Sequence, residues 1–513
     1  MANVAGDPDA RAPAGRLGIT ADAPVSGHVT GIVLRDFGSD AGLLRALVVF
    51  VGLSWSVLFV VVGLRYDLQT YADGSIFSYA VAVQDAWAFH WHNISGRLFV
   101  YLFSSLPAET FVALTGNARG GIAVYGFLFF VAQFLGLCAT FAVDRSKGRI
   151  IFCYACLSTA CLCPLVFGFP TEMWMAHALF WPTLAVCHFA GRSAAGAALI
   201  FVLMLSLVFT HGGAVIFALV ILLSLLLRGT RDPAVPRATA AFLAAMSASV
   251  AVELTFPADP YVASVLRRAA LHVFDISILG GYMVLLLVGV LASYGIAVCL
   301  LRRFAPARAQ IYAGFYASLL IAVLLTGYWL WFDHALHAED RYHLRTILIV
   351  VTPALGLVAA AHALRAEDRL HVPRMLRAML AAGPTASTIM GGVLLVMLVH
   401  AVETAKFVAA WTRYRVAVRA LAMGTASDPV LGSAQFVSSE RIPPDLNRLS
   451  WFSTTPFLSV LVAPAFAPAR LVVDPHSNYF WLTCKTATAN AEADRAIPVA
   501  SRELVRLYEC LHR

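Results

Sequence analysis

Residues 71–102 read YADGSIFSYAVAVQDAWAFHWHNISGRLFVYL, directly after an apolar run at 43–64. That run is long enough to cross a bilayer. The stretch behind it carries Asp73, Asp85, His90, His92 and Arg97, with Trp87 and Trp91 among them. Its meaning depends on which side of a membrane it faces, so the rest of the chain has to be read first.

The chain has 513 residues, of which 60% are hydrophobic and only 13% charged. Soluble domains carry about 25% charged residues, so this composition excludes an ordinary soluble fold. Repeated apolar runs separated by short polar loops predict an all-α polytopic membrane protein. The predicted spans are 43–64, 119–143, 150–169, 173–190, 194–210, 213–228, 238–256, 276–301, 310–332, 345–363 and 385–404, about eleven transmembrane helices. Segment 94–116 is apolar but broken by SSLPAE, and is expected to lie in or dip into the outer interface.

Charge sets the orientation. With eleven spans and a cytoplasmic N-terminus, the inner loops are DRSKGR (144–149), Arg192, RGTRDPAVPR (228–237), RRFAPAR (302–308) and RAEDRLHVPRMLR (365–377). All are basic, as cytoplasmic loops should be. A full span at 94–116 would put DRSKGR outside, so Tyr71–Leu102 is expected to face the periplasm from the inner (plasma) membrane. The net charge of +8 is then a property of these loops rather than a sign of nucleic-acid binding.

Residues 1–42 lack an apolar signal-peptide region and read as a disordered cytoplasmic tail. The membrane domain is expected at 43–424, with a large first outer loop at 65–118, and a small extracytoplasmic α/β domain at 425–513. In that last region RIPPDLNRLSWFSTTPFLSVLVAP and ARLVVDPHSNYFWLTC hold short β-like runs, and SRELVRLYECLHR has helical spacing. Cys484 and Cys510 could pair there, closing a 27-residue loop, if it is extracytoplasmic. Seven other cysteines lie in apolar runs and read as packing residues.

Polar chemistry gathers at the predicted outer ends. Besides the first loop, these ends offer Glu172 in GFPTEMW, His211 in THGG, a cluster at 259–275, and Arg341, Tyr342 and Arg345 in DHALHAEDRYHLR. The inner loops hold no phosphate-binding glycine loop, no dinucleotide fingerprint and no Asp-x-Asp pair. An outward-facing enzyme would therefore need a substrate activated in the lipid phase.

On these features the chain resembles the GT-C superfamily of polytopic glycosyltransferases. The carriers are YADGSIFSY after a single first span, HWHNISGRLFVYL leading into an interfacial helix, and EDRYHLRTILIVVTP opening a late span. The first loop has Asp-Gly where such enzymes usually have an acidic pair, and a His-Pro-Pro motif is absent. The resemblance implies transfer of a sugar from a lipid-phosphate-linked donor to an envelope glycan or lipid acceptor on the outer face.

An inverting transfer needs a base for the acceptor hydroxyl and cations for the departing phosphate. Asp73 is the first choice for the base and Glu172 the second; a turn or helix-cap role competes for Asp73. Arg341 is the first choice for the phosphate, with Arg345 and Arg97 assisting, against interfacial snorkelling for Arg97. His90, His92, His211, Tyr342 and Trp87 are candidate substrate-binding residues. No metal ligand set is assigned, because His90 and His92 share a face only on an extended backbone; a divalent metal is compatible with the sequence but not required. Expected partners are the lipid-linked donor, its acceptor and membrane lipids. The competing functions are a secondary transporter or flippase of an envelope precursor, and a non-catalytic scaffold.

Overall fold

A computed structural model of the chain describes residues 40–87, 94–166, 172–191, 193–256, 281–305, 309–327, 343–373, 385–425, 436–447, 449–450 and 454–474. His90, His92, Arg341, Tyr342, Cys484, Cys510 and the N-terminal tail lie outside these residues, as does the side chain of Arg345.

The described residues are dominated by helices: α1 Asp40–Arg65, α2 Asp73–Ala82, α3 Leu98–Thr115, α4 Ala118–Val143, α5 Ile150–Val166, α6 Glu172–Phe189, α7 Ala194–Val208, α8 Ala214–Leu226, α9 Ala234–Thr255, α10 Gly281–Phe304, α11 Ala309–Gly327, α12 His343–Ala366 and α13 Ala386–Met423. Among the described residues a helix covers part or all of each apolar segment read from the sequence. By length and composition α3, α4, α9 and residues Gly42–Arg65 of α1 can each cross a membrane; shorter apolar helices account for much of the remainder. Exposed side chains such as Phe50, Leu199, Leu243 and Phe315 stud their outer faces. Apolar surface of that extent on helices is expected where lipid is the solvent.

Helix α3 is not a plain span. Five of its residues, Tyr101–Ser105, form a π-helical turn, a local widening that is often found at functional sites. Its C-terminal part packs on the start of α4, where a Cβ on Gly121 would meet Val112 at 2.2 Å. Its start is tied elsewhere, by a bond from the Phe99 amide to the Phe209 carbonyl at the end of α7 (3.1 Å).

The two ends of the bundle differ. At the end where α6 finishes, Arg228 donates to the His188 carbonyl and pairs with Asp232. Nearby Arg237 reaches the Gly191 carbonyl, and the His371 amide bonds the Leu227 carbonyl. Three of the basic loops therefore meet there. In the 144–149 turn, Asp144 accepts from the amides of Ser146 and Phe152, both at 2.8 Å. Burial raises the Asp144 pKa and these bonds oppose the rise.

At the other end stand α2 and the C-terminal segment. Helix α13 has 38 residues, about 57 Å at 1.5 Å per residue and well beyond a hydrocarbon core of about 30 Å. Its second half locks onto the end of α1. Trp411 Nε1 and Arg415 donate to the Tyr66 carbonyl, and Arg415 pairs with Asp67 at 2.7 Å. The chain then forms β1 Phe436–Ser438, α14 Thr455–Val462 and β2 Leu471–Val473. The strands are parallel, with Val437 opposite Val472, and α14 lies on the crossover that parallel strands require.

The run FLSVLV is thus helical, where the sequence reads as β-like. A short fully buried apolar run has no periodicity to separate strand from helix. Pro456 stands in its first turn, where a missing N–H costs nothing.

Candidate functional site

Helix α2 is buried over all of Asp73–Val81. One side faces α4 and the other faces α14. Ile76, Tyr79 and Ala80 join Phe457, Val460, Leu461, Leu471 and Val473 in one apolar cluster. Ser75 Oγ bonds the Thr454 carbonyl at 3.0 Å, tying the helix to the C-terminal segment. Burial and the nearby Asp85 carboxylate raise the Tyr79 pKa.

The backbone before α2 is distorted. Asp67 is left-handed, at φ 51 and ψ 43, and Ala72 sits at φ 50 and ψ −130. Both are unusual for residues with a side chain, and such outliers cost about 1–3 kcal/mol each. Between them the Leu68–Thr70 turn presses on α4 at Gly126, where a Cβ would come within 2.9 Å of Gln69. The distortion delivers Asp73 as the first residue of α2, 1% exposed. It is neither a turn residue nor the cap, since Ala72 occupies the cap position.

Glu172 is likewise the first residue of its helix, α6, and is 2% exposed. A carboxylate suits that place, where amide N–H groups and the helix dipole favour negative charge. Its Oε1 pairs with Arg97, at the end of the turn that leads into α3. The pairing replaces the expected alternative of Arg97 snorkelling to an interface. Tyr125, buried in α4, lies in the electrostatic reach of Glu172, Asp73 and Arg97 together. Arg97 and Glu172 are thus in direct contact, and the Asp73 carboxylate acts on Tyr125 only through space.

The other expected residues are arranged differently. His211 Nδ1 accepts the Gly213 amide at 2.9 Å, just before α8. That turn neighbours Met173, because a Cβ on Gly213 would meet its sulfur at 3.3 Å. Trp87 packs edge-on against Tyr101 and Phe256, at 5.2 and 6.2 Å between ring centres, as an aromatic anchor between α3 and α9. Among the described residues no group of three or more His, Cys, Asp or Glu could hold a metal ion.

Below Arg97 a cavity of about 230 Å³ opens between α3, α4, α6 and α7. Phe99 and Phe103 stack at 5.6 Å to form part of its wall, and Leu135, Met175, Leu179 and Leu203 continue it. The lining is apolar throughout. Sequence reasoning did not single out Tyr125 or a buried group formed by Gln133, Ser158 and His177. The available signal was a polar side chain inside an apolar run, which in a membrane is costly without a role or a partner.

The sequence matches no known protein family, no curated protein and no solved structure.

Proposed function

We propose that the chain is an integral membrane glycosyltransferase of about eleven spans. It would transfer a sugar from a lipid-phosphate-linked donor to an envelope glycan or lipid acceptor on the outer face of the inner membrane. The observation that carries this reading is the buried Arg97–Glu172 pair, close in sequence to Phe99 and Met175 of an apolar cavity, with a second buried acid, Asp73, at the start of α2. A lipid-phosphate sugar has the matching shape: an anionic phosphate at the boundary and a hydrocarbon chain that belongs in lipid.

In this reading Asp73 takes the proton of the acceptor hydroxyl as its oxygen attacks the anomeric carbon. The bond from that carbon to the phosphate oxygen breaks, and its electron pair leaves on the lipid phosphate. Arg97 shares its donors between Glu172 and the phosphate, with Arg341 and Arg345 as further candidate cations. Glu172 then holds the cation in place rather than acting as base. The C-terminal segment lies over α2, so the donor approaches from the lipid side.

Transport keeps one observation of its own. Gln133, Ser158 and His177 form a polar group inside the bundle, as a translocation pathway would. All three are closely buried, with His177 bonded to each of the other two.

The test is transfer from a polyprenyl-phosphate sugar by purified Asp73→Asn. Loss of a general base costs about 100- to 10,000-fold in rate, and the variant should elute as wild type does. Near wild-type turnover in Asp73→Asn with loss in Glu172→Gln would move the base to Glu172. Unchanged cellular glycan and lipid products in both variants would end the glycosyltransferase reading in favour of transport.

A further inference from the structure

Helix α6 carries Pro182 in its interior. Proline has no N–H to return to the carbonyl four residues earlier, here Ala178, and such positions bend or hinge helices. The half of α6 before Pro182 bears Glu172, so something must fix its direction. Gly136 of α4 packs on that same Ala178 carbonyl, where a Cβ would come within 2.3 Å. That contact sets the distance between α4 and α6, but a glycine cannot set rotation.

A second contact can. Gln133, one turn before Gly136, donates through Nε2 to the Trp174 carbonyl at 2.6 Å. Its Oε1 meets His177 Nδ1 at 2.8 Å, and His177 Nε2 meets Ser158 Oγ of α5 at 2.7 Å. Trp181 Nε1 reaches the same His177 Nε2 at 3.4 Å, and the Trp174 ring stacks on the imidazole at 5.0 Å.

Only one arrangement of protons satisfies all of these groups. The indole N–H can only donate, so His177 Nε2 must carry a lone pair. The neutral ring then has its proton on Nδ1, directed at Gln133 Oε1. The Trp174 carbonyl can only accept, so it must face the Gln133 NH₂. Both ends demand the same amide orientation, and the Ser158 hydroxyl at 2.7 Å and the Trp181 indole at 3.4 Å share the single Nε2 lone pair. Gln133, Ser158 and His177 are at most 1% exposed. Buried groups of this kind are costly to leave unmade and so hold one geometry.

We infer that Gln133 is a positioning residue: by gripping the Trp174 carbonyl and His177 it fixes the rotation of the first half of α6, and thereby sets Glu172 against Arg97. Trp174, whose carbonyl it grips, lies two residues from Glu172 in the first turn. The inference rests on Glu172 and Arg97 belonging to the proposed site, but its test requires no sugar donor.

The test is infrared spectroscopy of the full-length protein in nanodiscs, with glutamate labelled by ¹³C at its carboxylate. The Glu172 band is identified by its loss in Glu172→Gln, and its unpaired position by Arg97→Gln. In Gln133→Leu the band should move toward its position in Arg97→Gln. In Ser158→Ala it should stay, because Trp181 still donates to His177. If Gln133→Leu does not fold, the triple variant Gln133→Leu/His177→Leu/Ser158→Ala removes the polar side chains together and should move the band in the same way. An unmoved band in the folded Gln133→Leu or triple variant, with only a lower unfolding temperature, would overturn the inference. A moved band with no sugar transfer in any assay would uphold the positioning and remove only the glycosyltransferase reading.

Discussion

Asp73 and Glu172 occupy the same position in two different helices, and each is held there by different means. Both are first residues and both are nearly inaccessible. Asp73 is placed by backbone: two positive-φ residues, a turn pressed on Gly126, and a cover formed by the C-terminal segment. Glu172 is placed by side chains: the Arg97 ion pair at its own carboxylate and the Gln133 network one turn below. The contrast teaches that the α6 acid should be sensitive to loss of a partner, whereas the α2 acid should be sensitive to changes in chain geometry and cover.

The largest effect should come from Arg97→Ala. Its guanidinium and the Glu172 carboxylate are 12% and 3% exposed, so screening by water is slight. Removing one partner of a buried pair leaves the other charge uncompensated, at a cost of about 3–5 kcal/mol. Thermal unfolding in detergent should show a large fall in midpoint, and Arg97→Ala/Glu172→Ala should recover most of it. Asp73→Asn, by contrast, should unfold near the wild-type temperature. Equal falls for Arg97→Ala and Asp73→Asn would erase the distinction between the two sites.

A smaller loss is expected from Ser75→Ala. Its hydroxyl bonds the Thr454 carbonyl across 379 residues of sequence and also the Ala72 carbonyl beneath it. Without it the Thr454 carbonyl keeps only its bond from the Leu458 amide (3.1 Å), a loss of about 0.5–1.5 kcal/mol. The readout is proteolysis: the chain after Gly424 should be cut faster while the α4–α6 core keeps its protection. Uniform loosening of both regions would mean that the C-terminal segment is not a separate support for α2.

How much of this could be read from the sequence follows from the same contrast. The apolar helices were legible because hydropathy depends on side-chain type alone. Asp73, Glu172 and Arg97 stood out because charge at the end of an apolar run is unusual. Tyr125, Gln133 and His177 did not, since each is a single polar residue in a run that otherwise reads as a span. Their meaning lies in neighbours 44 and 19 residues away along the chain, at His177 from Gln133 and at Ser158 from His177. Nor was the strain before α2 legible, because alanine carries no mark of a positive-φ backbone. The helix at Thr455–Val462 was hidden by burial on every side.

The smallest effect tests the backbone half of the comparison, and its sign is the informative part. At φ 50 and ψ −130, Ala72 occupies a region that glycine enters freely and other residues enter at about 1–3 kcal/mol. Ala72→Gly removes that strain in the folded state. It also makes the unfolded chain more flexible, which costs about 0.5–1 kcal/mol. The net change should therefore be a gain on the order of 1 kcal/mol, seen as a small rise in the unfolding midpoint. If the strain serves to aim Asp73, the same variant should lose activity while gaining stability, because glycine lets α2 begin in more than one direction. A variant that is more stable and fully active would show that the conformation is only a by-product of packing Gln69 against Gly126. A variant that is less stable would show that the Ala72 methyl group, 4% exposed at its residue, contributes more by packing than its backbone costs, and the account of how α2 is held would pass from strain to contact.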